Sequence, residues 1–205
     1  MAGRPIQAII FDLGKVLLDF DYSLAAGKLE AQSTISALEL KRLLDQSPLL
    51  YRYETGLIST EEFFTEVQRH SGFRGGLKEF GAMFGDIFSP IEPMIRLHAE
   101  VRASGVPTYL LSNTNALAIE HIRRRFPFYG LFHGHVLSYE HGAMKPDARL
   151  YEIAEKLAGF RGGDLLYIDD RPENVAAGGA RGWQTVLHVS PPATAEALRQ
   201  SGLGV

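Results

Sequence analysis

The 205-residue chain contains no cysteine. That absence excludes a disulfide framework, a thiolate metal site and a thiol nucleophile. No apolar run approaches the ~20 residues that a membrane span needs. Basic charge is not in surplus either: 21 Lys and Arg stand against 24 Asp and Glu, giving a net charge of −3 and a pI near 6.2. Neither a nucleic-acid nor a membrane partner is expected from this balance. The opening "MAGRPIQAIIFDLG" holds one short apolar run broken by an aspartate, unlike the longer segment of a secretory signal. A soluble, cytoplasmic protein is the expectation. Internal repeats and low-complexity segments are lacking too, and composition is silent on oligomeric state.

What the chain does have is apolar content, 45% of its residues. A chain this long buries roughly 70–75% of the surface exposed by its unfolded form, enough for one substantial domain and a small inserted one. Four short apolar runs read as strands buried on both faces: "QAIIF" (7–11), "PTYLLS" (107–112), "DLLYI" (164–168) and "QTVLHV" (184–189). "HGHVLS" (133–138) is a weaker fifth. Helical patterns lie between the later ones, at 115–126 with Asn113 or Thr114 available as N-cap, at 146–160 opening on Pro146, and at 171–182. Strands alternating with helices predict an α/β fold with a doubly wound parallel sheet.

Residues 20–92 break that rhythm. "YSLAAGKLEAQ", "TISALELKRLLDQS" and "STEEFFTEVQRHSG" read as helices, the last with Ser59 and Glu62 spaced as a capping box. Some seventy residues are too many for an ordinary crossover. The reading is a core of residues 1–19 and 93–205, with 20–92 inserted as a small helical cap. The aromatic run "EFGAMFGDIF" (79–88), with Phe63 and Phe64, belongs to the core of that cap.

Ligands of open parallel sheets bind beyond the carboxyl ends of the strands, so the polar residues there are informative. After the first strand comes Asp12; after the second, Ser112 and Asn113 in "LLSNTN". Lys145 follows the third in "MKPDARLY", and Asp169 and Asp170 follow the fourth in "LLYIDDRPENV". Carboxylates, an ammonium and short hydrogen-bond donors in one place suit phosphoryl transfer. Carboxylates hold Mg²⁺, which prefers oxygen ligands, and the lysine neutralises phosphate oxygens. Two other clusters read as structural. His133 and His135 share a strand face and would need His141 to make a metal site. Arg123 to Arg125 read as a solvated helix end.

The order Asp12, Ser112-Asn113, Lys145, Asp169-Asp170 resembles the four motifs of the haloacid dehalogenase-like hydrolase superfamily over nearly the whole chain. The wording "FDLGKVLLDFD", "LLSNTN", "MKPDARLY" and "IDDRPENVAAG" is most similar to the branch of glucose-1-phosphate phosphatases and the phosphatase domain of soluble epoxide hydrolases. The resemblance implies a Rossmann-like core, a helical cap and a Mg²⁺-dependent phosphatase acting on a small phosphorylated substrate through an aspartyl-phosphate. It implies Asp12 as nucleophile and metal ligand, together with the backbone carbonyl of Gly14. Ser112 and Asn113 would bind the phosphate, and Lys145 would stabilise its charge. Asp170 would ligate the metal and Asp169 would hold it through water.

One expected carboxylate is missing. Most phosphatases of this superfamily carry aspartate at the position of Gly14, where it protonates the leaving alcohol and then activates water. Glycine keeps the carbonyl and loses the acid, a loss of about 10²–10⁴ in rate. The glucose-1-phosphate phosphatase branch also has glycine here, and a hemiacetal leaving group is easier to expel unprotonated. Asp19, Asp21 or a group from the cap are the available stand-ins. The rival readings are a 2-haloacid dehalogenase, for which the Asp169-Asp170 pair is superfluous, and a catalytically idle binding protein.

Overall fold

The computed structural model describes residues 5–204. Five parallel strands form the central sheet: β1 Ala8–Phe11, β4 Thr108–Ser112, β5 Gly134–Leu137, β6 Leu165–Asp169 and β7 Gln184–Leu187. Their order is β5-β4-β1-β6-β7, so β1 is central, flanked by β4 and β6 in parallel register. The remaining pair, β2 Leu18–Phe20 and β3 Phe88–Pro90, is antiparallel.

Helices cover both faces of the sheet because alternate residues of each strand point to opposite sides. Ile9, Phe11, Leu110, Leu166 and Ile168 join one apolar core with residues of α6 Glu92–Ala103, α7 Ala116–Arg125 and α11 Pro191–Gln200. Ala8, Ile10, Leu111, Val136 and Tyr167 join the other, with Leu150, Tyr151 and Ala154 of α9 Ala148–Ala158 and Trp183 beyond α10 Pro172–Ala180. The five expected strands are all present, in a mostly parallel, Rossmann-like sheet. β7 differs from expectation: it is an edge strand, only partly buried, with Leu187 exposed.

A third apolar core lies outside the sheet. It is built from α1 Tyr22–Glu30, α2 Ala37–Leu44, α3 Pro48–Glu54, α4 Thr60–Ser71 and α5 Leu77–Gly85. Phe63, Phe80 and Phe84 are buried at its centre, with ring centroids 5.5–6.0 Å apart. Here the aromatic run does form packing. Ser59 accepts from the Glu62 main chain and Glu62 reaches back to the Ser59 N–H, the reciprocal cap read from the sequence. β2 and β3 bracket these helices. At three residues each they are too short for periodicity to reveal.

Candidate active site

Asp12 follows central β1, Ser112 ends β4 and Asp169 ends β6, so the parallel sheet brings three of the marked residues to one edge. Lys145 arrives from the loop between α8 Ser138–His141 and α9. Its Nζ lies 2.8 Å from Asp12 Oδ1 and 2.6 Å from Asp169 Oδ2, and donates to the Leu111 carbonyl at 2.9 Å. The ammonium is 1% exposed, so the lysine is no surface residue but the cation of a buried triad.

Each member is held by more than its charge. Asp12 Oδ1 also accepts the Leu13 N–H at 2.7 Å. Asp169 Oδ1 accepts the Arg171 N–H at 2.8 Å and the Asn174 amide at 3.1 Å, while Oδ2 also accepts the Tyr167 hydroxyl. The Asn113 side chain grips the Lys145 main chain from both sides, donating to its carbonyl at 3.1 Å and accepting its N–H at 2.7 Å. Asn113 thereby fixes the loop that delivers the lysine. Its engagement explains why it does not cap α7. Thr114 is bonded through its main-chain N–H and carbonyl to Ser138 Oγ, and the cap is Asn115, next to the first helical residue, accepting from Ala118 N at 3.0 Å. Likewise α9 is capped by Asp147 and begins after Pro146, not on it.

The electrostatics follow from burial. Desolvation, with the Asp169 charge beside it, pushes Asp12 up to about 7 against the pull of Lys145. Burial would raise Asp169 too, but Lys145, the Tyr167 hydroxyl and the Arg171 N–H outweigh it, and Asp169 is held low. Burial would depress Lys145, yet the two carboxylates outweigh it and the lysine stays charged. Asp170 is half-buried and raised by burial and by Asp169.

Asp12, Asp169 and Asp170 each offer an oxygen within 4.8 Å of the others. Three hard oxygen donors in that span are a set that fits Mg²⁺, and they are the one such cluster among the described residues. His133 and His135 have other work: the Thr108 N–H donates to His133 Nδ1 at 3.1 Å, and His135 Nε2 meets the Tyr129 carbonyl at 3.1 Å. Arg123 to Arg125 are exposed in the last turn of α7, as expected.

Gly14 lies two residues past Asp12, and a Cβ there would come within 2.9 Å of Phe20 Cε1. Neither nearby stand-in carboxylate is idle. Asp19 pairs with Lys15 and accepts the Phe20 N–H at 2.8 Å, and these bonds hold it below its ordinary value. Asp21 is likewise held low by the Ser23 hydroxyl and by the Ser23 N–H, which it accepts at 2.8 Å in capping α1. From the helical insert, Glu54 is the raised acid: burial pushes it up to about 7 against the bond from Asn115, with the like charge of Asp45 adding to the rise.

The site contains residues that the motif reading passed over. Tyr167 was legible in principle, since it sits two positions before Asp169 on the same face of β6. Asn174, one turn into α10, carried no such periodic signal. Tyr53, whose hydroxyl accepts the Leu117 N–H at 3.2 Å, and Ser138, which donates to the Glu54 carbonyl at 2.5 Å, join α3 to the first turn of α7 and to the start of α8.

A family model, described as a haloacid dehalogenase-like hydrolase, matches residues 6–182. The chain is 26% identical to a sesquiterpene phosphatase, AstK, of Aspergillus oryzae, over 95% of each chain. It is 24% identical to a D-ribitol-5-phosphate phosphatase of Bacteroides thetaiotaomicron, over 88% of this chain and 90% of that one. In structure it is similar to a haloacid dehalogenase family enzyme of the same bacterium, solved with magnesium and inorganic phosphate. The TM-score is 0.76 at 22% identity, covering 88% of this chain and 93% of that one.

Proposed function

Because the chain belongs to the haloacid dehalogenase-like hydrolases and is a phosphoric monoester hydrolase of that superfamily, we propose that it is a Mg²⁺-dependent phosphatase of a small phosphorylated metabolite, a sugar phosphate such as glucose-1-phosphate. The carrying observation is the buried Lys145 bridging Asp12 and Asp169, 2.8 and 2.6 Å away, beside a third carboxylate. Two phosphatases among its relatives support the reading.

In this mechanism Asp12 is the nucleophile. Lys145 and the Leu13 N–H both meet its Oδ1, which supports attack on phosphorus by Oδ2. Lys145 balances charge on the transferring phosphoryl group, and Ser112 with Asn113 binds its oxygens. Asn113 also positions Lys145 through its two bonds to that residue's main chain. Asp12, Asp170 and the carbonyl of Gly14 would hold Mg²⁺, which when bound supplies Lewis-acid stabilisation of phosphate charge. Asp169 has donors on both oxygens, which supports an indirect role for it and direct ligation by Asp170. The insert of residues 20–92 acts as the cap that closes over the substrate and excludes water.

The test is hydrolysis of p-nitrophenyl phosphate and glucose-1-phosphate with Mg²⁺, with chelator, and by Asp12→Asn. Turnover lost under chelation and in Asp12→Asn is the expected result. Turnover that survives chelation, or folded Mg²⁺-binding protein with none on any phosphate monoester, would overturn the proposal.

A further inference from the structure

The space beside Gly14 is filled by a residue that its strand holds in place. A side chain at position 14 would project into Phe20, with Cε1 at 2.9 Å and Cδ1 at 3.6 Å from the first carbon. Phe20 ends β2, paired with Phe88 across β3. Its ring packs edge-on to Tyr22 with centroids 6.0 Å apart and against Phe88 at 6.1 Å, and the Lys15 ammonium lies 4.7 Å from its centre. The ring is partly buried and packed against these neighbours, so a side chain at position 14 would have to displace it from those contacts.

The acids around it do not replace the missing one. Asp19 is ion-paired to Lys15 and 56% exposed, and Asp21 is exposed and spent on the α1 cap. Glu54 is engaged with Asn115 on the loop after β4.

We propose that Phe20 is a specificity-determining residue: it closes the space that an acid at position 14 would use, so the enzyme selects phosphate monoesters whose leaving oxygen departs without a proton from the protein. This rests on the phosphatase reading above. Asp12 attacks phosphorus, the ester P–O bond breaks, and its electron pair leaves on the alcohol oxygen, which takes its proton from solvent. Water then attacks the phosphorus of the aspartyl-phosphate and the bond to Asp12 breaks. Inorganic phosphate departs, the water proton passes to solvent, and the Asp12 carboxylate is restored. The first step runs fastest when the departing oxyanion is stable in itself. Aryl and anomeric esters meet that condition, and simple alkyl esters do not.

Two probes of similar shape separate leaving-group chemistry from fit: p-nitrophenyl phosphate and 2-(4-nitrophenyl)ethyl phosphate, an aryl and an alkyl ester. The wild-type enzyme should favour the aryl ester in kcat by ~10²–10⁴-fold, the range that general acid catalysis is worth. Gly14→Asp alone should leave that ratio within threefold, because Phe20 keeps the carboxyl from its place. Gly14→Asp with Phe20→Ala should narrow it at least tenfold, and Phe20→Ala alone should not. Phe20→Leu replaces Phe20→Ala in the double variant if thermal unfolding shows the latter unfolded. Equal wild-type rates on both esters, both lost in Asp12→Asn, would overturn this inference while leaving the phosphatase intact. Narrowing by Gly14→Asp alone would overturn the role of Phe20. Aryl ester turnover that persists in Asp12→Asn would overturn the phosphatase reading instead.

Discussion

Glu54 offers a sharp test of the electrostatics at the junction between the insert and the site. Glu54 is partly buried and its carboxyl meets Asn115, the residue that caps α7 just past the site loop. Burial, partly offset by the Asn115 bond, moves it from 4.5 to about 7. The unfolded chain therefore loses this proton near pH 4.5 and the folded protein only near 7. A folded-state value raised above the unfolded one costs an acid stability as pH climbs through that window, and the cost is complete above 7. At 1.36 kcal/mol per pH unit the full cost is about 3 kcal/mol, shrinking to about 1 kcal/mol at pH 5. Glu54→Gln removes the charge and keeps an acceptor for Asn115. The variant should be more stable than wild type by about 3 kcal/mol at pH 8, a gain in Tm of roughly 5–10 °C in a chain of this size. Urea unfolding of both proteins at pH 5, 6, 7 and 8 measures the difference directly. Curves that stay parallel across that range would refute the buried, raised carboxyl.

Other consequences follow from the same geometry. Lys145→Met strands Asp12 and Asp169 as buried carboxylates without a cation; it should cost about 3–5 kcal/mol in metal-free protein, a loss that Mg²⁺ reduces, read by unfolding with and without the ion. Since Asp12 is raised to about 7 and must be ionised to bind a cation, Mg²⁺ affinity measured by calorimetry should weaken by up to tenfold per pH unit below 7 and level off above it. Asp12→Asn should bind more weakly and lose that slope. Ser59→Ala removes one half of the α4 capping box and should cost about 1 kcal/mol in thermal unfolding, with kcat on p-nitrophenyl phosphate within twofold of wild type.

The sheet was legible because its strands are short apolar runs between turn signals, and central strands such as "AIIF" and "LLYID" are buried throughout. β7 carries the same apolar lettering but ends on an edge; strand order is set by tertiary pairing, which letters do not encode. Of the insert, α4 announced itself by its cap and periodicity. α3 did not, since seven residues opening on Pro48 give too little period to read. Yet α3 carries Tyr53 and Glu54, the residues that bond α3 to Asn115, to Leu117 of α7 and to Ser138 of α8.

The site divides along the same physical line. Its charged members could be found because parallel strands deliver their C-terminal residues to one edge, so a sequence position becomes a spatial one. The groups that tune them cannot be found that way. Asn113 was marked for phosphate, and its side chain also holds the Lys145 main chain from both sides; the spacing of 32 residues says nothing of those bonds. Gly14 shows the same limit from the opposite direction. Read in sequence it is only a lost acid, a hole that a nearby aspartate could fill. In the fold the hole is filled by Phe20, and Asp19 and Asp21 are bound elsewhere. A carboxyl restored at position 14 alone meets the Phe20 ring. The loss of the acid and the placement of the ring are therefore one structural feature, and the leaving group that the enzyme tolerates is set by both.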